Sequence, residues 1–595
     1  MSAQTQAAKE SAPKRPGSAK VSGFDKVLII TGGATVGGSM VEGNKTIVAA
    51  LGRQLGIMRA SSAIWQDVAL KAVSAELLFA RALYKARPKY RKATYHDTVE
   101  RYYSAQSYVG SPELTEIVLA GALREEGLEY EATTFAELAD SAVRERLLAE
   151  CGCVFISSTL MRDMSELKPL VQVLKRPHNK VVVGGALVSL LHSDWSHVPG
   201  ADLIAVGYGE MLVPTLAGWI KSGYQTLTPP ENGRVVENSG NTILYSGNPT
   251  SKNLDWLPTP NWALAESYHG KKYELINYES VRGCPYRCAF CNFPFLFEDT
   301  VFRVKSAQKI FGDWMQYAEG GAKIINCMDS LFTIPPKRLE ELCNLLIDAG
   351  TPIEWNCYAR AGDLAKPGTA ALMKKAGCKL VHIGYESGSQ TILDNMNKKS
   401  GVESNVKALE YCREAKLTTA VTLIVGFPGE TKQSVRDTFE RLRESPPDLF
   451  FGGGFNTRMV SMPVLQPEPR RKYGLVTQSD HLSSAPYWRH DTMSCHEVPS
   501  LLRWLNLSLI EAKVALEGSL FYSGLMGYDQ KDRQDLLDFQ YDLVKGFGLF
   551  SGGFSLAGGA LKTILGADVK MKLKGMTPET PIAQPQIMIH PEPIG

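Results

Sequence analysis

The sequence predicts an α/β protein with two successive parallel-sheet units and a mainly α C-terminal region. Three observations predict it. Apolar, β-rich runs alternate with helical periodicity over most of the 595 residues. Glycine-rich turns close several of those runs. A polar, proline-bearing stretch at 226–270 parts the two alternating series and reads as a linker. A chain this long exceeds one hydrophobic core, so two or three domains are expected.

The first series occupies 25–225. KVLIIT at 26–31 reads as a buried strand and is followed by the glycine-rich GGATVGG. Residues 44–108, rich in Ala, Leu, Lys and Tyr, read as a helical insertion. The alternation resumes with a helix at 112–126 and strands at 130–134 and 153–157. A helix at 164–175 leads to a strand at 181–183 that ends in Gly184-Gly185. A strand at 203–206 ends in Gly207-Tyr208-Gly209-Glu210, and a helix at 212–221 closes the unit. This is the rhythm of a flavodoxin/Rossmann-like domain, whose ligands lie beyond the carboxyl ends of the strands.

The second series, 271–455, has strands near 275–280, 323–328, 353–358, 380–385, 419–425 and 449–451. Six repeats predict a partial (β/α)6 TIM-type barrel with its chemistry at the carboxyl-end loops. Over 456–566 the alternating pattern weakens, with an amphipathic helix at 501–516. The ends, 1–24 and 567–595, read as disordered tails.

Lys plus Arg (65) nearly balance Asp plus Glu (62), so nothing marks nucleic acid as a partner. No apolar run approaches the roughly 20 residues of a membrane span, and the N-terminal stretch lacks a secretory apolar core. A cytoplasmic protein is expected. The eleven cysteines are mostly scattered singly, unlike a disulfide framework.

One group of them is local. R-G-C-P-Y-R-C-A-F-C at 282–291 places Cys284, Cys288 and Cys291 on one loop after the first strand of the second series. Thiolates are the usual ligands of iron–sulfur clusters, and three ligands for a cubane leave one iron open. A zinc site or three unrelated core thiols are the alternatives. A zinc site would need a distant second pair of ligands, and no such pair is visible.

The spacing CxxxCxΦC, with Phe290 as the aromatic residue, resembles the signature of the radical S-adenosylmethionine superfamily. The resemblance covers about 273–454 and implies a [4Fe–4S] cluster on the three cysteines. It also implies S-adenosyl-L-methionine on the open iron, cleaved to a 5′-deoxyadenosyl radical by an electron from a flavodoxin- or ferredoxin-type donor. Asp329, ending the second strand, matches the contact to the methionine amino group, and Arg360 the one to its carboxylate. Glu386 and Ser387 match the G-x-E-S-G turn, and Gly426 the G-x-P-G-E-T turn beside the adenine.

The first unit resembles the cobalamin-binding domain that precedes the barrel in one branch of that superfamily. The resemblance rests on the S-P-E-L…L-A-G-A-L-R-E-E-G run at 111–127 and on Ser157, Ser158, Thr159 and Leu160. It rests also on Gly184 and Gly185 and on Gly207, Tyr208, Gly209 and Glu210. It implies that these turns hold the corrinoid and its nucleotide tail. No D-x-H-x-x-G follows the first strand, so no histidine is placed to ligate cobalt from below.

Other candidates read as structural. Cys151, Cys153, Cys327 and Cys357 are expected in cores. His490, in a Y-W-R-H-D-T-M-S stretch also seen after the barrel in that branch, is expected to be hydrogen-bonded, with a general acid/base role as the alternative. No catalytic side chain is assigned. The resemblance implies a cobalamin-dependent methyltransferase acting on an unactivated carbon, or phosphorus, of a specialised metabolite or peptide. Methylcobalamin would deliver the methyl group and the deoxyadenosyl radical would activate the substrate. Two alternatives stay open: cyclisation, rearrangement or oxidation with the same cofactors, and a non-catalytic corrinoid-binding protein.

Overall fold

A computed structural model describes residues 26–32, 97–98 and, with gaps, 111–582; the longer gaps are 458–461, 479–486, 518–527 and 545–569. The tail at 1–24, nearly all of the 44–108 insertion, and Leu160 lie outside the described residues.

The first sheet runs in the order β2-β1-β3-β4-β5-β7-β6. Its parallel part consists of β1 (Val27–Thr31), β2 (Tyr130–Thr134), β3 (Cys153–Ser157), β4 (Lys180–Gly184) and β5 (Leu203–Val206). This 2-1-3-4-5 order is that of a flavodoxin-like sheet. The helices are α1 (Leu114–Glu125), α2 (Ser141–Glu150), α3 (Met164–Leu174), α4 (Ala186–Leu191) and α5 (Gly209–Lys221). Alternate residues face opposite layers: Leu28, Ile30, Val154 and Ile156 pack in one core, Val27, Ile29, Cys153 and Phe155 in the other. A strand covered on both faces must be apolar at every position, which is why VLIIT reads as one run.

The expected linker at 226–270 is corrected. β6 (Arg234–Asn238) and β7 (Asn241–Tyr245) form a hairpin that joins the first sheet, β7 running parallel to β5. The edge strand β6 is exposed along nearly its whole length and needs no apolar residues, so its sequence looks like a loop. Asn241 anchors the hairpin by accepting from Trp195 Nε1 at 2.9 Å and Val198 N at 2.8 Å. After it, α6 (Trp262–His269) packs on α1, where His269 Nε2 lies 2.6 Å from Glu116 Oε1.

The second sheet contains β8 (Leu275–Tyr278), β11 (Ile324–Cys327), β12 (Glu354–Arg360), β13 (Cys378–Glu386), β14 (Thr418–Val425) and β15 (Leu449–Gly454) in sequence order, all parallel. A short β9 (Val281–Arg282) and β10 (Arg303–Val304) form a separate hairpin beside it. The six expected strands are present, and β18 (Leu516–Glu517) adds a seventh beyond β15. Residues such as Tyr278, Cys327, Trp355, Cys357, Val381 and Val421 pack outward into the main core. The alternate residues Asn277, Asn326, Asn356, Tyr358, Arg360 and His382 therefore face the other side. Cys151, Cys153, Cys327 and Cys357 are all core thiols.

The C-terminal region combines α14 (Pro467–Tyr473) and α15 (Val498–Glu511) with the hairpin β16 (Val476–Gln478) and β17 (Tyr487–Arg489), and so is less purely helical than expected. Helices α7 (Ala307–Glu319), α8 (Pro336–Ala349), α9 (Ala361–Leu364), α10 (Thr369–Lys375), α11 (Gln390–Asn395), α12 (Val402–Glu414) and α13 (Lys432–Glu444) lie within the second α/β series. The expected disordered tail from 567 is corrected over its described part. Leu573 is buried in the main core, and Arg470 Nη2 donates to Thr580 O at 2.6 Å.

Candidate active site

The thiol loop leaves β9 through Gly283. This residue has φ +78, and a Cβ there would lie 2.5 Å from Val301 O, so only glycine makes the turn. The loop is fastened from several directions. Ser330 Oγ donates to Gly283 O at 2.8 Å, and Asn397 Nδ2 to Arg287 O at 2.9 Å. Ala289 N donates to Met396 O at 2.8 Å, and Ala289 O accepts from Val464 N at 2.9 Å.

Cys288 is buried, and Cys284 and Cys291 are half-buried. Burial pushes the Cys284 thiol up and the Cys291 thiol up to about 12; Cys288 adds to both rises and Cys284 to that of Cys291. Nearby cations (Arg360 and Arg287 for Cys284, Lys398 for Cys291) oppose the rise without reversing it. Deprotonating these thiols therefore needs added positive charge, which a bound metal cluster would supply. Among the described residues, no three His, Cys, Asp or Glu side chains are placed to hold a single metal ion. A cubane carries its thiolates on separate irons and so holds them farther apart.

Arg360 ends β12 beside the triad. It is 7% exposed, its Nη1 lies 3.6 Å from Cys288 Sγ, and its guanidinium stacks 3.7 Å over the Tyr286 ring. Its Nη2 is buried without a partner. A buried guanidinium nitrogen with no acceptor is costly, and an incoming carboxylate would satisfy it. The site's donor set therefore fits both a cluster and an anionic group next to it.

Asp329 is placed differently from expectation. It is 2% exposed, and its carboxylate accepts from Ser280 N at 2.6 Å, Ser280 Oγ at 2.5 Å and Val281 N at 2.9 Å. Oδ1 accepts twice and Oδ2 once, so Asp329 spends three of its four acceptor positions on securing the approach to the thiol loop. Burial raises its carboxyl, with Arg338 opposing. The Ser387 hydroxyl lies 3.3 Å from Thr438 Oγ1 and accepts from Ser389 N at 3.2 Å.

Glu386 stays beside the loop. It holds a positive φ of 61, uncommon outside glycine. Its Oε1 accepts from Lys398 Nζ at 2.7 Å in a buried ion pair, and Lys398 Nζ lies 5.5 Å from the Phe290 ring centroid. Phe290 meets Phe427 edge-on at 6.4 Å. Gly426 has φ +94 and no room for a side chain, since a Cβ would lie 2.4 Å from Val498. Its N–H donates to Glu430, whose carboxyl burial raises to about 8. His490 Nε2 lies 3.2 Å from Gly426 O and its Nδ1 lies 3.1 Å from Thr492 Oγ1, so this histidine braces the turn.

In the first sheet, the turns after β3 and β4 meet. A Cβ on Gly185 (φ +96) would lie 2.8 Å from both Thr159 N and Thr159 Oγ1. Ser158 is buried and committed, donating from Oγ to Gly184 O at 2.7 Å and accepting from Val188 N at 3.3 Å, so it is corrected from ligand contact to brace. Thr159 is exposed at the strand end, with its hydroxyl 3.2 Å from Ser157 Oγ. Tyr208 and Glu210 are corrected as well. Tyr208 is fully buried, and Glu210 forms a bidentate pair with Arg282 on β9, in the hairpin beside the second sheet.

Sequence reasoning passed over Tyr286, Lys398 and Asn356. Tyr286 sits inside the cysteine motif, which is its only signal. Lys398 is a surface-type residue until folding brings it to Glu386. Asn356 is fully buried with neither side-chain polar atom paired, in register with Asn326 on β11, which itself pairs with Asn277 on β8.

Residues 278–442 match the family model described as the Radical SAM superfamily. Over 53% of this chain and 58% of its own length, an anaerobic magnesium-protoporphyrin IX monomethyl ester cyclase from Rubrivivax gelatinosus is 25% identical. A bacteriochlorophyllide d C-12(1)-methyltransferase from Chlorobaculum tepidum is 28% identical over 33% of this chain and 43% of its own. The chain thus spans less than two thirds of these relatives. The fold is similar to that of the radical S-adenosylmethionine methyltransferase TsrM from Kitasatospora setae, with a TM-score of 0.52 and 16% identity over 71% of this chain and 87% of that one. Among the described residues, no helix is long and apolar enough to cross a membrane.

Proposed function

From the match of residues 278–442 to the Radical SAM superfamily model, we propose that the chain is a cobalamin-dependent methyltransferase acting on an unactivated carbon or phosphorus of a small molecule or peptide. The observation that carries the reading is the pairing of two strand-end sites. A thiol triad with Arg360 beside it stands at one sheet, and Arg282, just before that triad, is gripped by the turn at the carboxyl end of β5 in the other.

In this reading Cys284, Cys288 and Cys291 hold a [4Fe–4S] cluster. Arg360 Nη2 receives the carboxylate of S-adenosylmethionine. Phe290, the Glu386–Lys398 pair and the backbone at Gly426 line the rest of that ligand. Ser157, Thr159, Gly184 and Gly185 take the cobalamin tail, and Gly207 and Gly209 shape the neighbouring turn. Bound there, the cofactors supply a deoxyadenosyl radical and a transferable methyl group, while the chain orients them and excludes water. An external one-electron donor reduces the cluster. Asp329, Ser158, Ser387, Tyr208 and Glu210 serve as supports.

The methyltransferase named among the relatives supports methyl transfer. The cyclase relative favours a second reading, in which the same cofactors drive ring closure without methyl transfer. Anaerobic reconstitution tests the shared core. About four irons per chain and 5′-deoxyadenosine from S-adenosylmethionine are expected, and both should vanish when Cys284, Cys288 and Cys291 are replaced by Ala together. Iron retained by that triple variant would overturn the ligand assignment.

A further inference from the structure

Glu210 opens the first turn of α5 at the end of β5, yet its carboxylate lies against Arg282 of the β9–β10 hairpin beside the other sheet. Its Oε1 accepts from Arg282 Nη2 at 2.7 Å and its Oε2 from Arg282 Nη1 at 3.0 Å, with both side chains less than a tenth exposed. Glu279 Oε2 accepts from Arg282 Nε at 3.0 Å. The guanidinium also lies 4.8 Å over the ring of Tyr208, which packs 4.7 Å from Phe297. Arg282 is thus held at its edge by two carboxylates and at its face by an aromatic ring.

Both ends of the contact have stiff backbone. Gly207 has φ +112, and a Cβ on it would lie 2.1 Å from Ser246 Oγ, the atom to which Tyr208 N donates at 2.9 Å. Gly283, the one residue between Arg282 and Cys284, is equally without space for a side chain. Such a pair adds little net stability over an apolar contact, because desolvation offsets its attraction; its value lies in direction and register. A bidentate fork fixes orientation as well as distance.

We infer that Glu210, acting through Arg282, is a positioning residue that fixes the thiol loop against the carboxyl end of the first sheet and so sets the separation between the two cofactor sites. The inference rests on the proposed function only for the identity of what those sites hold.

The test uses the full chain, reconstituted with iron and sulfide and given hydroxocobalamin. Glu210→Gln keeps the shape and removes the charge. Arg282→Lys keeps the charge and removes the fork. Two readouts are taken beside iron content: hydrogen exchange of the 283–291 amides, and the distance distribution between the reduced cluster and cob(II)alamin from pulsed EPR. Both variants are expected to keep their iron, to exchange the loop amides roughly tenfold faster with the strands of both sheets unchanged, and to broaden the distance distribution. Unchanged loop exchange and distances would overturn the inference, as would a uniform loss of protection across both sheets. If Glu210→Gln does not fold, Arg282→Lys carries the same comparison. If the wild type binds no cobalamin, the exchange measurement still decides the positioning role, and only the cofactor reading fails.

Discussion

The adjacent strand ends of β11 and β12 offer one comparison that organises the site. Each leads into a charged residue buried to within a few per cent, Asp329 after β11 and Arg360 at the end of β12. Asp329 has both oxygens engaged by Ser280 and Val281, whereas Arg360 keeps one nitrogen unpartnered beside Cys288. Position at a strand end therefore does not decide which residue meets a ligand. What decides it is whether the chain already satisfies the side chain, because a buried polar group without a partner is the one with something to gain.

Removing each charge should separate the two roles. Asp329→Ala has the larger expected effect. It leaves Arg338 as a buried cation without its carboxylate and strips two backbone N–H groups of their acceptor. A loss of about 3 kcal/mol or more in denaturant titration is expected, with reduced iron loading because the loop comes loose. Arg360→Gln should instead keep its iron and most of its stability. Its S-adenosylmethionine Kd should rise about tenfold or more, the worth of one charge-assisted hydrogen bond. Equal stability losses in the two variants would remove the distinction.

A third effect, confined to acid pH, sharpens the comparison at the next turn. Burial holds the His490 imidazole down to about 4, below its ordinary 6.5. A depressed folded pKa means that the neutral ring's contribution is complete above pH 6.5 and is lost as pH falls toward 4. Wild-type stability should therefore drop by up to about 3 kcal/mol more than that of His490→Gln across that window. Parallel pH profiles in thermal unfolding would show that His490 is no brace. A change in the pH dependence of deoxyadenosine formation, with stability unaltered, would give it a chemical role.

Much of this was legible in the sequence. The six barrel strands declare themselves because each is covered by helices on its outer face and needs apolar residues there. The cysteine motif is legible because three ligands must share one loop. The hairpin at 234–245 was hidden because β6 is an exposed edge strand with no reason to be apolar. The roles of Asp329, Ser158, Tyr208 and Glu210 were hidden for another reason. Each stands at a strand end, as a ligand contact would, and only the third dimension shows that it is buried among or bonded to the rest of the chain. The same holds in reverse for Lys398, whose partner Glu386 is twelve residues away in sequence.

The central claim is that this chain brings S-adenosylmethionine and cobalamin to one site for methyl transfer, and its most direct test needs no substrate. Reconstituted protein with bound cobalamin is reduced and given S-adenosylmethionine carrying a trideuterated methyl group, and the cobalamin is then released and weighed by mass spectrometry. The account predicts that cobalamin gains one methyl bearing three deuteriums, matched by an equal amount of S-adenosylhomocysteine. Recovery of unlabelled cobalamin alongside abundant 5′-deoxyadenosine would contradict methyl transfer.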